Sequence, residues 1–229
     1  MSLPDLADIR IKTLGYNQAM TRKYLLKLPQ SILNARYNEK RPSQYVGFGL
    51  FGATLLFGLC VFIRTDSLRV NYGLSYFGIF WSTIVPYTAG FLLYAFCLWK
   101  ASDIQLENSR RSLVLAWTLR IMSIQMIGLL LTPYDRLYNI HVFFGAGLFS
   151  LQLVLSFLLL KWLLLNWINV ALVFIEFLSG LVSLYYLPQS RGLLLQTQVI
   201  FQLAFGYLLI RTLSILETSS IEQTLQQTS

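Results

Sequence analysis

Six mostly apolar stretches run through the chain, at roughly 45–63, 75–99, 112–132, 138–160, 163–187 and 193–215. At 1.5 Å of rise per residue, a helix of about 20 residues crosses the ~30 Å hydrocarbon layer of a bilayer. Backbone polar groups in hydrocarbon find no water, so a spanning segment is either a helix or part of a closed barrel. These stretches lack the polar–apolar alternation over about ten residues that marks a barrel strand. The chain therefore reads as all-α, a polytopic membrane protein built on a bundle of six transmembrane helices over 45–215. A basic arm, 1–44, precedes the bundle, and a polar tail, 216–229, follows it. The composition agrees, with 55% hydrophobic and 12% charged residues against about 25% charged in soluble domains.

A formal charge of +8 invites a nucleic-acid reading, but the distribution of Lys and Arg argues for topology. Eight of the 18 lie before residue 45, three in the 100–111 link, and Lys161 and Arg211 fall on the same side. Arg64, Arg69, Arg136 and Arg191 fall on the other side. The positive-inside rule then expects both termini in the cytoplasm of a plasma or bacterial inner membrane. The expected partners are membrane lipids, with a second copy or another membrane protein beside them, and no nucleic acid.

The arm has no early apolar core, so the first span is expected to act as its own signal anchor. Within the arm, Leu14, Met20, Tyr24, Leu25, Leu28 and Ile32 recur at loosely helical spacing around Arg22, Lys23 and Lys27. That pattern suits an amphipathic helix lying on the membrane surface, or a solvated tail. The tail from Glu217 to Ser229 is expected to fray. Cys60 and Cys97 belong to opposite ends of their spans and should not pair.

Within the first span, Gly49 and Ala53 form a small-xxx-small pair that lets a neighbouring helix approach closely, and Ala146 and Ser150 repeat the pattern in the fourth. Pro86, mid-way along the second stretch, predicts a kink that frees the Ser82 carbonyl. Tyr45, Tyr72, Tyr76, Trp99, Tyr134, Tyr138, Trp162, Trp167, Tyr185 and Tyr186 sit near span ends and read as an interfacial belt.

Polar groups inside hydrocarbon are costly and mark packing or function. Arg120 lies about 12 Å into the third span. Its insertion costs about 2.5–3.5 kcal/mol, so it needs a partner. Glu176, the acid inside a span, lies about 20 Å along the fifth from the same side, within reach of an Arg120–Glu176 pair. Gln152 falls at nearly the depth of Arg120, and Gln125, Gln198 and Gln202 add further amides. These residues read either as interhelical glue or as the lining of a polar pocket for a head group or solute.

A second cluster, Asp135, Arg136, Asn139 and His141, stands at the turn between the third and fourth spans. His141 is the sole histidine, which excludes a bis-histidine haem within one chain. A metal site needs three or four ligands, and only Asp135 is near in sequence. Asp135 reads as a helix N-cap that contacts His141 or Arg136. Ser75 and Ser190 share the side of His141 but have no nucleophile-elbow context. No cofactor motif, nucleotide loop or channel filter is evident.

The turn Pro133-Tyr134-Asp135, the run from His141 through Phe149 and the segment Asn71–Gly78 together resemble the DRAM/FRAG/SFK-type six-helix membrane protein superfamily, including its bacterial members of unknown function. That superfamily has a "P-x-D" link, a histidine opening the fourth helix and an "S-x-x-G" segment before the second. Where an acid often follows the serine, Tyr76 and Phe77 stand here. The resemblance implies a six-helix bundle linked to lipid or membrane homeostasis, without an established catalytic mechanism. The leading expectation is a non-enzymatic membrane protein that binds a lipid or small amphiphile near Arg120, or acts as an assembly partner. A solute transporter or oligomeric channel is the alternative. A lipid-modifying enzyme would need His141, Asp135 and a third polar group to converge.

Overall fold

A computed structural model describes residues 41–69, 73–103, 110–162, 166–187 and 192–227, with side chains to residue 218. Of the arm expected over 1–44, residues 1–40 lie outside the described residues and Pro42–Gln44 belong to the first helix. Residues 41–216 form one compact unit. The helices are α1 (Pro42–Ile63), α2 (Ile84–Asp103), α3 (Arg110–Leu131), α4 (Tyr138–Trp162), α5 (Trp167–Tyr186) and α6 (Leu194–Gln227). Short 3-10 turns, Thr65–Leu68 and Leu74–Gly78, join α1 to α2. Each of the six is long and apolar enough to cross a membrane, and no strand occurs among the described residues. The chain is an integral membrane protein with a six-helix bundle.

Local chemistry sets the helix starts. Pro42 opens α1, where a missing N–H costs nothing, and the Gln44 side chain accepts from the Arg41 N–H at 3.2 Å. Asn166 caps α5 by accepting the Ile168 N–H at 3.1 Å.

The second apolar stretch departs from expectation. It does not run as one helix from residue 75; α2 begins at Ile84. The Thr83 hydroxyl donates to the Phe77 carbonyl at 2.8 Å, closing the turn ahead of the helix. Pro86 is then the third residue of α2, inside the first turn, so the helix has no hydrogen bond there to lose and the expected mid-helix kink does not arise. The tail also differs: α6 stays helical through Gln227, because residues 217–227 carry no Gly or Pro to stop it.

Consecutive helices from α1 to α5 pack side by side. Packing follows the small residues, as expected where lipid is as apolar as the side chains and backbone approach decides. A Cβ on Gly49 would lie 2.6 Å from the Cys97 Cβ, so α1 and α2 touch almost backbone to backbone there. Helix α6 packs on three partners. Gly206 receives Leu50 of α1, Phe201 stacks on Phe149 of α4 at 4.3 Å, and Thr197 accepts from Ser183 of α5 at 2.7 Å. Cys60 and Cys97 are both buried thiols.

Candidate functional site

The four residues expected to share a polar layer are dispersed. Arg120 reaches the end of α2: Nε donates to Ser102 Oγ at 3.2 Å and Nη2 to Asp103 Oδ1 at 3.1 Å. Its guanidinium also lies 5.7 Å from the Trp99 ring centroid and 5.5 Å from that of Trp117. Arg120 thus ties α3 to α2 and has no contact with Glu176. Depth along a span, which suggested that pair, does not say which neighbour a helix face meets. Gln152, fully buried, exchanges two hydrogen bonds with Gln202 at 2.8 and 3.0 Å, joining α4 to α6. Gln125 packs its amide nitrogen against Gly147, and its Oε1 has no partner. Glu176 is fully buried. Ser156 faces its carboxyl, yet no hydrogen bond of ordinary geometry forms on either carboxyl oxygen or on the Ser156 hydroxyl.

The second cluster also divides. Asp135 is exposed, and its ion pair is with Arg136 at 3.9 Å. Asn139 is exposed beside it. His141 turns the other way and is 5% exposed. Its Nδ1 meets the Thr132 carbonyl at 2.6 Å, and its Nε2 meets Ser75 Oγ at 2.6 Å. A carbonyl only accepts, so Nδ1 carries the proton, and in the neutral ring Nε2 accepts from the serine hydroxyl. The Tyr134 ring packs edge-on against the imidazole at 5.7 Å.

Ser75 lies on the Leu74–Gly78 turn, which is held from two sides. The Leu74 N–H donates to Gln198 Oε1 of α6 at 2.9 Å. Tyr76, expected in the interfacial belt, is instead 8% exposed and locked into an ionic cluster. Arg64 donates to both carboxylate oxygens of Asp66 at 2.9 and 2.7 Å and to the Tyr76 hydroxyl at 2.8 Å. The Tyr76 hydroxyl donates onward to Asp66 at 3.0 Å. The guanidinium also covers the Phe80 ring at 3.8 Å. The Arg64 hydrogen bond, then that of Tyr76, holds the Asp66 carboxyl well below the usual carboxylate range, and Asp66 in turn raises Arg64.

Ser75 and His141 open onto a cavity of about 530 Å³ in the half of the bundle that holds the 63–84 and 131–138 connections. Its walls are mostly apolar, contributed by Ala53, Phe57, Phe91, Met126, Leu148 and Phe201. Gln198, bonded to the Leu74 N–H next to Ser75, lines it together with Ser75 and His141, and Thr54, Ser150, Ser183 and Gln202 add further polar groups. Thr54, Gly58, Ala146, Ser150 and Leu203 line the cavity and are exposed, so it is open to its surroundings. Ala146 and Ser150, read as a packing pair, thus form cavity wall.

Arg120 is absent from this cavity. In the sequence, Ser75 was placed on the side of His141 but set aside for want of a nucleophile-elbow context, Gln198 was one of several amides inside the spans, and the Arg64–Asp66–Tyr76 cluster was missed. The i, i+2 spacing of Arg64 and Asp66 beside a span end is the signal that points to it. Compared with known protein families, curated proteins and solved structures, the chain matches none.

Proposed function

We propose that the protein binds a membrane amphiphile in the cavity between α1, α4 and α6, with the polar group of the ligand at Ser75, His141 and Gln198. The observation that carries this reading is the shape and lining of the cavity. Its volume of about 530 Å³ falls within the roughly 300–1,000 Å³ of ordinary small-molecule pockets. An apolar body with a few convergent polar groups suits a ligand that is itself apolar with one polar end. The resemblance to the DRAM/FRAG/SFK-type superfamily points to lipid in the same way. The Lys and Arg distribution supports cytoplasmic termini, which turns the cavity toward the outer leaflet.

Native mass spectrometry of the full chain, extracted with its lipids, tests this reading. The wild type is expected to retain a bound amphiphile. Ala146→Trp, which fills the cavity from its wall, should lose it, and Arg120→Leu should retain it. Loss in Arg120→Leu with retention in Ala146→Trp would move the ligand away from this cavity and refute the reading.

A further inference from the structure

We infer that the Ser75–His141 pair is a nucleophile and general base that cleaves the carboxylic ester of an acyl amphiphile held in this cavity, an inference that rests on the binding reading above. Three observations converge. The serine hydroxyl and Nε2 lie at 2.6 Å, within the hydrogen-bond reach that a nucleophile and its base require. A third group, the Thr132 carbonyl at 2.6 Å from Nδ1, fixes the ring and its tautomer, the task an acid performs in a catalytic triad. Both side chains line a cavity whose remaining walls are suited to an acyl chain.

The sequence expectation paired His141 with Asp135, but the base is oriented by a main-chain oxygen nine residues back in the chain. The hydrogen bond from the Leu74 N–H holds the Gln198 amide so that its oxygen faces the backbone. Its Nε2 is thereby the donor, on the wall beside Ser75, for negative charge that develops on the ester carbonyl oxygen.

The chemistry balances with water as co-reactant. Ser75 Oγ bonds to the ester carbonyl carbon while its proton passes to His141 Nε2. The bond from that carbon to the alcohol oxygen breaks, and the proton goes from Nε2 to the departing alkoxide. Water then attacks the acyl-serine and yields a proton to Nε2. The bond between Ser75 Oγ and the acyl carbon breaks, and the proton returns to Oγ. A carboxylic acid and an alcohol leave.

The test uses the purified full chain in lipid nanodiscs and a long-chain alkyl fluorophosphonate, which bonds phosphorus to an activated serine and expels fluoride. Labelling is expected at Ser75, located by peptide mass spectrometry. Ser75→Ala should abolish it, and His141→Gln should slow it by about 10²–10⁴-fold, the range for loss of a general base. Ser75→Ala removes a single oxygen from a half-buried turn, so it should still fold, read as a cooperative melting transition like that of wild type. Wild type that retains amphiphile but is not labelled, or is labelled equally in Ser75→Ala, overturns the ester-cleavage inference and leaves binding standing. Wild type that neither retains amphiphile nor is labelled overturns both.

Discussion

The close approach of α1 to α2 can be tested with three glycines of one helix. Each Gly→Ala change in a helix interior adds about 1 kcal/mol of helix propensity, so differences among them report what the new methyl group meets. At Gly58 it meets nothing within 4 Å, and the full propensity gain should appear. At Gly52 it meets the Cδ2 end of Leu93, a flexible tip that rotates away at small cost. At Gly49 it would stand 2.6 Å from the Cys97 Cβ and 3.1 Å from Tyr94 Cδ2. A Cβ is fixed to its backbone, so the helices must separate by several tenths of an ångström. Overpacking of this kind costs about 1–3 kcal/mol, which cancels or exceeds the propensity gain. Gly49→Ala should therefore be less stable than Gly58→Ala by about 1–3 kcal/mol, with Gly52→Ala between them. For a chain of this size that is a melting difference on the order of 5 °C. Cys60 and Cys97 are buried thiols, so unfolding can be followed by a thiol-reactive fluorophore in detergent. Equal melting of Gly49→Ala and Gly58→Ala would refute the packing argument.

Three further outcomes follow. Asp66, held below the usual carboxylate range by Arg64 and Tyr76, contributes stability that is fully present above the unfolded carboxylate value near 3.9 and is lost as pH falls below it. Hydrogen-exchange protection over residues 64–69 and 73–78, taken relative to the intrinsic exchange rate at each pH, should thus be flat from about pH 5 to 8 and fall in stronger acid, and in Asp66→Asn it should be low throughout. Tyr76→Phe removes the hydroxyl that joins the Ser75 turn to Arg64 and Asp66; fluorophosphonate labelling at Ser75 should slow by about ten- to a hundredfold with amphiphile still retained. Glu176 is buried with neither carboxyl oxygen hydrogen-bonded, and an unsatisfied buried polar group costs about 1–3 kcal/mol. Glu176→Leu should accordingly melt at or above wild type, and a fall in melting temperature would show that the carboxyl is paired.

The bundle was legible because a spanning helix obeys two one-dimensional constraints, length and apolarity, and both lie along the chain. What was not legible depends on the rotation of each helix about its axis and on the short connections. Arg120 and Glu176 lie close enough in depth for their side chains to meet, yet Arg120 turns to Asp103 of α2 while Glu176 faces Ser156 of α4. The helices carry little amphipathic signal to fix that rotation, since their lipid-facing and core-facing surfaces are both apolar. Phe48 and Phe51 of α1 are as apolar as the buried Val46, and each is 65% exposed. Only small residues break the ambiguity, as the glycines of α1 did.

The Ser75–His141 pair was hidden for a different reason. The residues stand 66 positions apart, and Ser75 was assigned to the start of a continuous second span. A helix through residue 75 would have continued the α2 backbone, leaving Leu74 and Tyr76 on its lipid-facing or core-facing sides like any other turn. The break before Ile84 depends on one threonine hydroxyl that caps the preceding turn. It is this break that lets the 74–78 turn fold across the bundle, gives the Leu74 N–H to Gln198, and places Ser75 against the imidazole. Polar groups with no partner in hydrocarbon are costly, so the same economy that hides Gln152 against Gln202 would be expected to seal Ser75 and His141 from the cavity. They line it instead, which leaves both within reach of a polar ligand atom.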